Sequence, residues 1–143
     1  MSFASLWWNL FVSWELIEHT GDIGVSARAP SLEGLFAECA RAMFAILAEN
    51  ASPGAAGTEA FPVAGTDPPE ELREFLSELL YRFSAERKMY GSFTPGSGTV
   101  HGTWEPYDPA RHPLKTELKA VTWHQLEAAR EEDGWRAQVI FDL

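Results

Sequence analysis

Two short apolar runs, Trp14–Ile17 and Ile23–Ala27, flank the polar sequence Glu18-His19-Thr20-Gly21-Asp22. The runs are alternating or β-branched and too short for helices, which predicts two strands joined by a bend. Folding alone would be content with Asn-Gly or Asp-Gly there. An acid, an imidazole, a hydroxyl and a second acid at one turn point instead to binding, because loops held by rigid strands are where such groups converge.

The rest of the chain builds on this pair. Ser31 is an N-cap and Glu33 a first-turn acid for a helix whose buried stripe is Leu32, Leu35, Phe36, Cys39, Met43, Phe44 and Leu47, ending near Ala48. A loop over Asn50–Gly57 leads to a short strand, Thr58–Val63. Asp67-Pro68-Pro69-Glu70 starts a second helix, with Asp67 as cap and Glu70 closing a capping box. Its stripe is Leu72, Phe75, Leu76, Leu79, Leu80 and Phe83, and it stops near Glu86. Strands follow at Met89–Phe93 and Thr99–Glu105 around a turn at Thr94–Gly98. After an irregular loop, Pro106–Pro113, a long strand is expected over Glu117–Ala128. Asp133-Gly134 then turns a hairpin into a last strand, Trp135–Phe141.

This order lacks the regular alternation of a doubly wound fold. It predicts a two-layer α+β domain, with two helices packed on one face of a largely antiparallel or mixed sheet. The 143 residues suit one domain, placed at 14–143, preceded by an apolar arm at 1–13 that contains Trp7, Trp8, Leu10, Phe11 and Val12. The arm lacks the basic start and cleavage site of a signal peptide and is too short to cross a bilayer, so no membrane association is expected.

The chain carries 21 acidic and 11 basic side chains, a formal net charge of −10. Such a surface repels phosphate backbones, so direct nucleic-acid binding is not expected, and a cation or a basic protein partner is favoured. The single cysteine, Cys39, allows no disulfide framework and reads as a buried core residue in a reducing, cytoplasmic setting.

Three further places carry groups that folding does not require: Trp104-Glu105-Pro106-Tyr107-Asp108 with Arg111-His112, Lys119-Ala120-Val121-Thr122-Trp123-His124, and the chain end, Asp142-Leu143. At the end, the Asp142 side chain and the terminal carboxylate of Leu143 sit side by side. If ordered, they recruit a cation, and with Asp22 and water they make an oxygen shell of the kind calcium prefers. A frayed, solvated terminus is the commoner fate. Zinc is disfavoured, since His19, His101, His112 and His124 show no metal-ligand spacing. With Asp133-Gly134 as loop residues, Asp142 would lie opposite Gln125, leaving Lys119 about 20 Å away along the strand. Lys119 would then meet a partner or substrate rather than Asp142.

Together these segments resemble the archease family. Its pattern of an early Glu-x-x-x-His-Thr-Ala-Asp-type motif, a central acidic and basic-His loop, a Lys-Ala-Val-Thr-Tyr-His-type strand and a penultimate aspartate appears as Glu15 or Glu18 with His19-Thr20-Gly21-Asp22, Gly102 through His112, Lys119–His124 and Asp142-Leu143. Gly21 stands where alanine is usual and Trp123 where tyrosine is usual; the central Gly-Glu is interrupted by Thr103-Trp104, so Glu105 inherits no role. The resemblance implies a protein cofactor rather than an enzyme. The implied partner is the RNA ligase that joins 3′-phosphate to 5′-hydroxyl ends in tRNA splicing or RNA repair, and the cofactor promotes its guanylylation and multiple turnover. It also implies Asp22, Asp142 and Leu143 as ligands of a divalent metal, calcium before manganese or magnesium, with Lys119 and His19 acting on the partner. Homo-oligomerisation stays open. Two rival readings remain at this point: a metal-dependent hydrolase using Asp22, His19 and Asp142, and a chaperone-like module using the apolar arm.

Overall fold

The computed structural model describes residues 13–143 except Thr20, and leaves the side chains of Glu18 and His19 undescribed. The arm expected at 1–13 thus lies outside the described residues save for Ser13. The elements in chain order are β1 (Ser13–His19), β2 (Asp22–Ala29), α1 (Leu32–Leu47), β3 (Gly57–Pro62), α2 (Pro68–Glu86), β4 (Lys88–Pro95), β5 (Thr99–Pro106), β6 (Ala120–Val121), β7 (Glu127–Glu131) and β8 (Gly134–Asp142).

The α+β class holds, with strands paired antiparallel throughout the described residues. The layering differs from the expectation of one sheet with both helices on one face. The described residues form two sheets. One is five-stranded, in the order β1-β2-β8-β6 with β7 also on β8, and the other is three-stranded, β3-β5-β4. Helix α1 packs against β2 and β8 of the first and β4 and β5 of the second. It is accordingly buried nearly all round, as a helix apolar on every side must be. Periodicity reports that a strand has an apolar face but not which strand covers it.

Local signals at both helix starts are borne out. The Ser31 hydroxyl accepts the Gly34 amide at 3.0 Å, and Pro68 and Pro69 occupy the first turn of α2 after Asp67. The capping box is closed by Glu71, not Glu70: Glu71 accepts the amide of Asp67 at 2.8 Å, and also those of Ala64 and Gly65. Glu38, facing the core of α1, is satisfied by the Arg41 guanidinium at 2.8 Å, and Arg41 donates in turn to the Phe93 carbonyl. Rings of Phe36, Phe44, Phe61, Phe75, Phe83, Tyr90 and Phe93 interlock around α1 and α2.

The long strand expected over Glu117–Ala128 does not form. It breaks into β6 and β7, with the chain looped out between them around Gln125 at φ 50°. Glu117, Lys119, Val121, Trp123 and Gln125 therefore do not share one strand face. The hairpin also shifts by one: Glu131 pairs with Gly134, leaving Glu132-Asp133 as the loop. Gly134 opens β8 because a Cβ there would sit 2.5 Å from the Ala29 carbonyl.

Candidate functional site: the open end of the five-stranded sheet

The hairpin register of β7–β8, continued, would set Phe141 opposite His124. Instead Phe141 faces Val121 and Asp142 faces Ala120, because the loop between β6 and β7 takes up the difference. The neighbouring amide of Lys119 donates to the Asp142 carbonyl at 2.9 Å. This corrects the sequence-based separation of about 20 Å: Lys119 is a backbone neighbour of Asp142. The Thr122 amide and hydroxyl both donate to the Ile140 carbonyl at 3.0 Å, fixing this edge to the last strand.

On the other side of β8, Asp22 pairs with Asp142 and Ile23 with Phe141. Residues directly opposed in an antiparallel pair have Cβ atoms about 4.5–5.5 Å apart and share a face. Val25, Val139 and Phe141 turn to the core, so alternation sets Asp22 and Asp142 on the far face of the sheet. The bend before Asp22 has Gly21 at φ +79°, a conformation that favours glycine. His19 pairs with Asp22 through its backbone; its side chain and Thr20 lie outside what is described. Leu143, 43% exposed, follows directly with the terminal carboxylate.

The chain end is thus ordered as the tip of a paired strand. It sets Asp22 and Asp142 directly opposite one another, with Leu143 the next residue. No group of three His, Cys, Asp or Glu side chains fit to hold a metal occurs among the described residues, and Asp22 with Asp142 make two oxygen-bearing side chains on one face.

Lys119 turns the other way. Its exposed side chain lines a cavity of about 280 Å³ together with Arg73, Ser77, Tyr81 and Ser84 of α2. The sheet end therefore shows carboxylates on one side and a lysine on the other.

The central acidic and basic segment plays a different part, which sequence reasoning missed. Glu105, 6% exposed, accepts from Arg111 and from His112, both at 2.6 Å. The Asp108 amide donates to His112 Nδ1 at 3.0 Å, so that nitrogen carries a lone pair and Nε2–H is the donor to Glu105. Burial pushes the Glu105 carboxyl up, but the His112 hydrogen bond and the Arg111 charge outweigh it, and it titrates below the usual carboxylate range. Arg111 also reaches the Ser52 carbonyl at 2.6 Å, clamping the loop after α1. This is a fastening between segments. Its signal in the sequence was the acid followed six and seven residues later by Arg-His.

A second fastening centres on Glu59, which accepts from Tyr90 at 2.5 Å, Arg82 at 2.6 Å and Lys88 at 3.0 Å. Burial raises the Tyr90 hydroxyl, and the adjacent Glu59 raises it further. Cys39 is buried as expected, and desolvation, with Glu38 nearby, raises its thiol. A larger cavity of about 580 Å³ lies by the end of α1, lined by Phe44, Asn50, Tyr90 and Phe93 among others, and none of the candidate site residues lines it. No described helix is long and apolar enough to cross a membrane.

Known proteins resemble this chain along most of its length. Residues 14–143 match the model of the Archease protein family (MTH1598/TM1083). The protein archease of Methanosarcina acetivorans is 36% identical over 141 residues, covering 91% of this chain and 95% of that protein. That of Methanopyrus kandleri is 32% identical, covering 91% and 99%. The solution structure of Methanobacterium thermoautotrophicum protein 1598 superposes with a TM-score of 0.69 at 27% identity, covering 91% of this chain and 98% of the other. The crystal structure of a Thermotoga maritima protein described as "an archease, possible chaperone" shares the fold, with a TM-score of 0.62 at 18% identity, covering 90% and 96%. With residues 14–143 matched by the family model and a relative 36% identical along nearly the whole of both chains, the chain belongs to the archease family.

Proposed function

We propose that this protein is a cytoplasmic, metal-binding cofactor without catalysis of its own, which activates an RNA ligase of the 3′-phosphate/5′-hydroxyl type. It promotes guanylylation of the ligase and its multiple turnover in tRNA splicing or RNA repair. The observation that supports this reading is the register of β2, β8 and β6, which aligns Asp22 with Asp142 and ties Lys119 to the same residue, in a member of the archease family.

Asp22, Asp142 and the Leu143 carboxylate would hold a divalent cation. The donor set is all oxygen, which suits a hard ion, calcium first and manganese or magnesium next. When bound, the ion supplies positive charge at the sheet end. The chain's own part would be to steady the last strand up to Asp142: the Lys119 amide bonds its carbonyl and Thr122 bonds that of Ile140, one residue and three residues before the terminal oxygens. Lys119 and His19 would act on the partner, and the acidic surface is consistent with leaving RNA to the ligase.

The test is ligase guanylylation with GTP and a divalent metal, with and without this protein. Acceleration that is lost in Asp22→Ala and Asp142→Ala, both still folded, is the expected result. No acceleration by the intact protein would remove the reading. Full acceleration by both variants would remove the metal from it.

A further inference from the structure

Beside Lys119, Arg73 of α2 lies across the Trp123 ring, with its guanidinium carbon 4.3 Å from the ring centre, and its Nε donates to the Val121 carbonyl at 3.1 Å. The terminal nitrogens of Arg73 meet no acceptor among the described residues. Neither Arg73 nor Lys119 has a carboxylate partner there, although Arg28, Arg41, Arg82, Lys88, Arg111 and Arg136 all do. Arg87, Lys115 and Arg130 lack one as well; what sets Arg73 and Lys119 apart is that they share one cavity with no carboxylate in its lining, in a chain with 21 acids and 11 bases. The hydroxyls of Ser77, Tyr81 and Ser84 line the same cavity of about 280 Å³, so its polar side chains all carry donor hydrogens. Aromatics flank it: Tyr81 in its lining and Trp123 beneath Arg73 are each 58% exposed. Exposed Trp and Tyr around Arg is the composition of a protein-binding hot spot, and a stacked guanidinium loses less freedom when it forms its hydrogen bonds.

We propose that this face, between α2 and β6, docks the partner protein through an acidic side chain that enters the cavity between Arg73 and Lys119 while Trp123 and Tyr81 pack around it. The occupant follows from charge: a carboxylate matches the planar fork of Arg73, and the flanking aromatics ask for apolar cover of a kind a protein surface supplies. The inference rests on the ligase-cofactor reading and assigns it a contact surface. Docking and metal presentation are then separate tasks on the two sides of the sheet end.

The experiment titrates the full-length protein and its variants against the ligase, reading the concentration for half-maximal guanylylation and the plateau. Arg73→Gln and Trp123→Ala should each raise that concentration by about tenfold or more with the plateau kept, since ~1.4 kcal/mol is tenfold. Tyr81→Ala, on an exposed side chain that leaves the core untouched, should act in the same direction. Association of the native protein should slow with added salt, and Arg73→Gln should flatten that dependence, which a merely structural role would not do. Leu114→Ser, equally exposed but beside the end of α1, should change nothing. If the native protein activates and all three variants match it, the docking face is overturned while the cofactor reading stands. If the native protein does not activate, both fall. If Arg73 instead proves to hold inorganic pyrophosphate or a tRNA fragment with no ligase present, a phosphate site replaces the protein contact.

Discussion

Asp22 and Asp142 lie opposite one another across the β2–β8 ladder, so residues near the two ends of the described chain meet at one point. A like-charged pair directly opposed across strands is destabilising by itself. An arrangement that costs stability in the free protein and gains it with a cation predicts metal-dependent stability. Calcium at about a hundred times its dissociation constant should raise unfolding stability by about 2.7 kcal/mol. Asp22→Asn, which removes one charge at constant shape, should abolish that gain, and calorimetric melts with and without calcium check it.

Deleting Leu143 moves the terminal carboxylate back by one residue. The β8 ladder remains, and the Asp142 oxygen that accepts from Lys119 becomes one oxygen of the new terminal carboxylate and still accepts, so the melting temperature without metal should stay within a few degrees. Calcium or manganese affinity, read by titration calorimetry, should fall about tenfold or more, as expected when one oxygen ligand is misplaced.

The Glu105 fastening predicts an acid limb. Its carboxyl titrates below the ordinary glutamate value of about 4.3. The stability it contributes is therefore present above that value and is lost as pH falls through the depressed one. Glu105→Gln should be less stable at pH 7 by about 2 kcal/mol or more, since it leaves Arg111 and His112 without their anion. It should also show a shallower fall of stability below about pH 4.3 than the native protein. Urea unfolding at several pH values separates the two effects.

Gly134→Ala should destabilise by about 1–3 kcal/mol, because the new Cβ meets the Ala29 carbonyl, backbone that cannot swing aside as a side-chain tip can. Gly98→Ala also stands at positive φ but in open space, so it should pay only the backbone strain of about 1 kcal/mol.

The helices and the first strand pair were legible in the sequence because their signals are local. Ser31, Asp67 and the two prolines mark helix starts whatever surrounds them. The split of Glu117–Ala128 was not legible. The loop between β6 and β7 turns on Gln125, a residue with no special liking for positive φ, so no glycine or proline announces it. That loop moved Lys119 from an apparent distance to the side of Asp142. The pairing of Asp22 with Asp142 was foreseen in kind but not derivable, since hydrophobic alternation does not say that β8 inserts beside β2. Glu105 was passed over because a buried acid looks like any other until Arg111 and His112 are seen to fold back onto it.

The placement of α1 has a bearing on how the protein comes apart. A helix shared by two sheets is the inner wall of both, and neither could keep its apolar side dry after the other had left. Partial opening of one half therefore has no resting place, and tryptophan signals reporting on Trp104 in one sheet and Trp135 in the other should vanish together in a single melt.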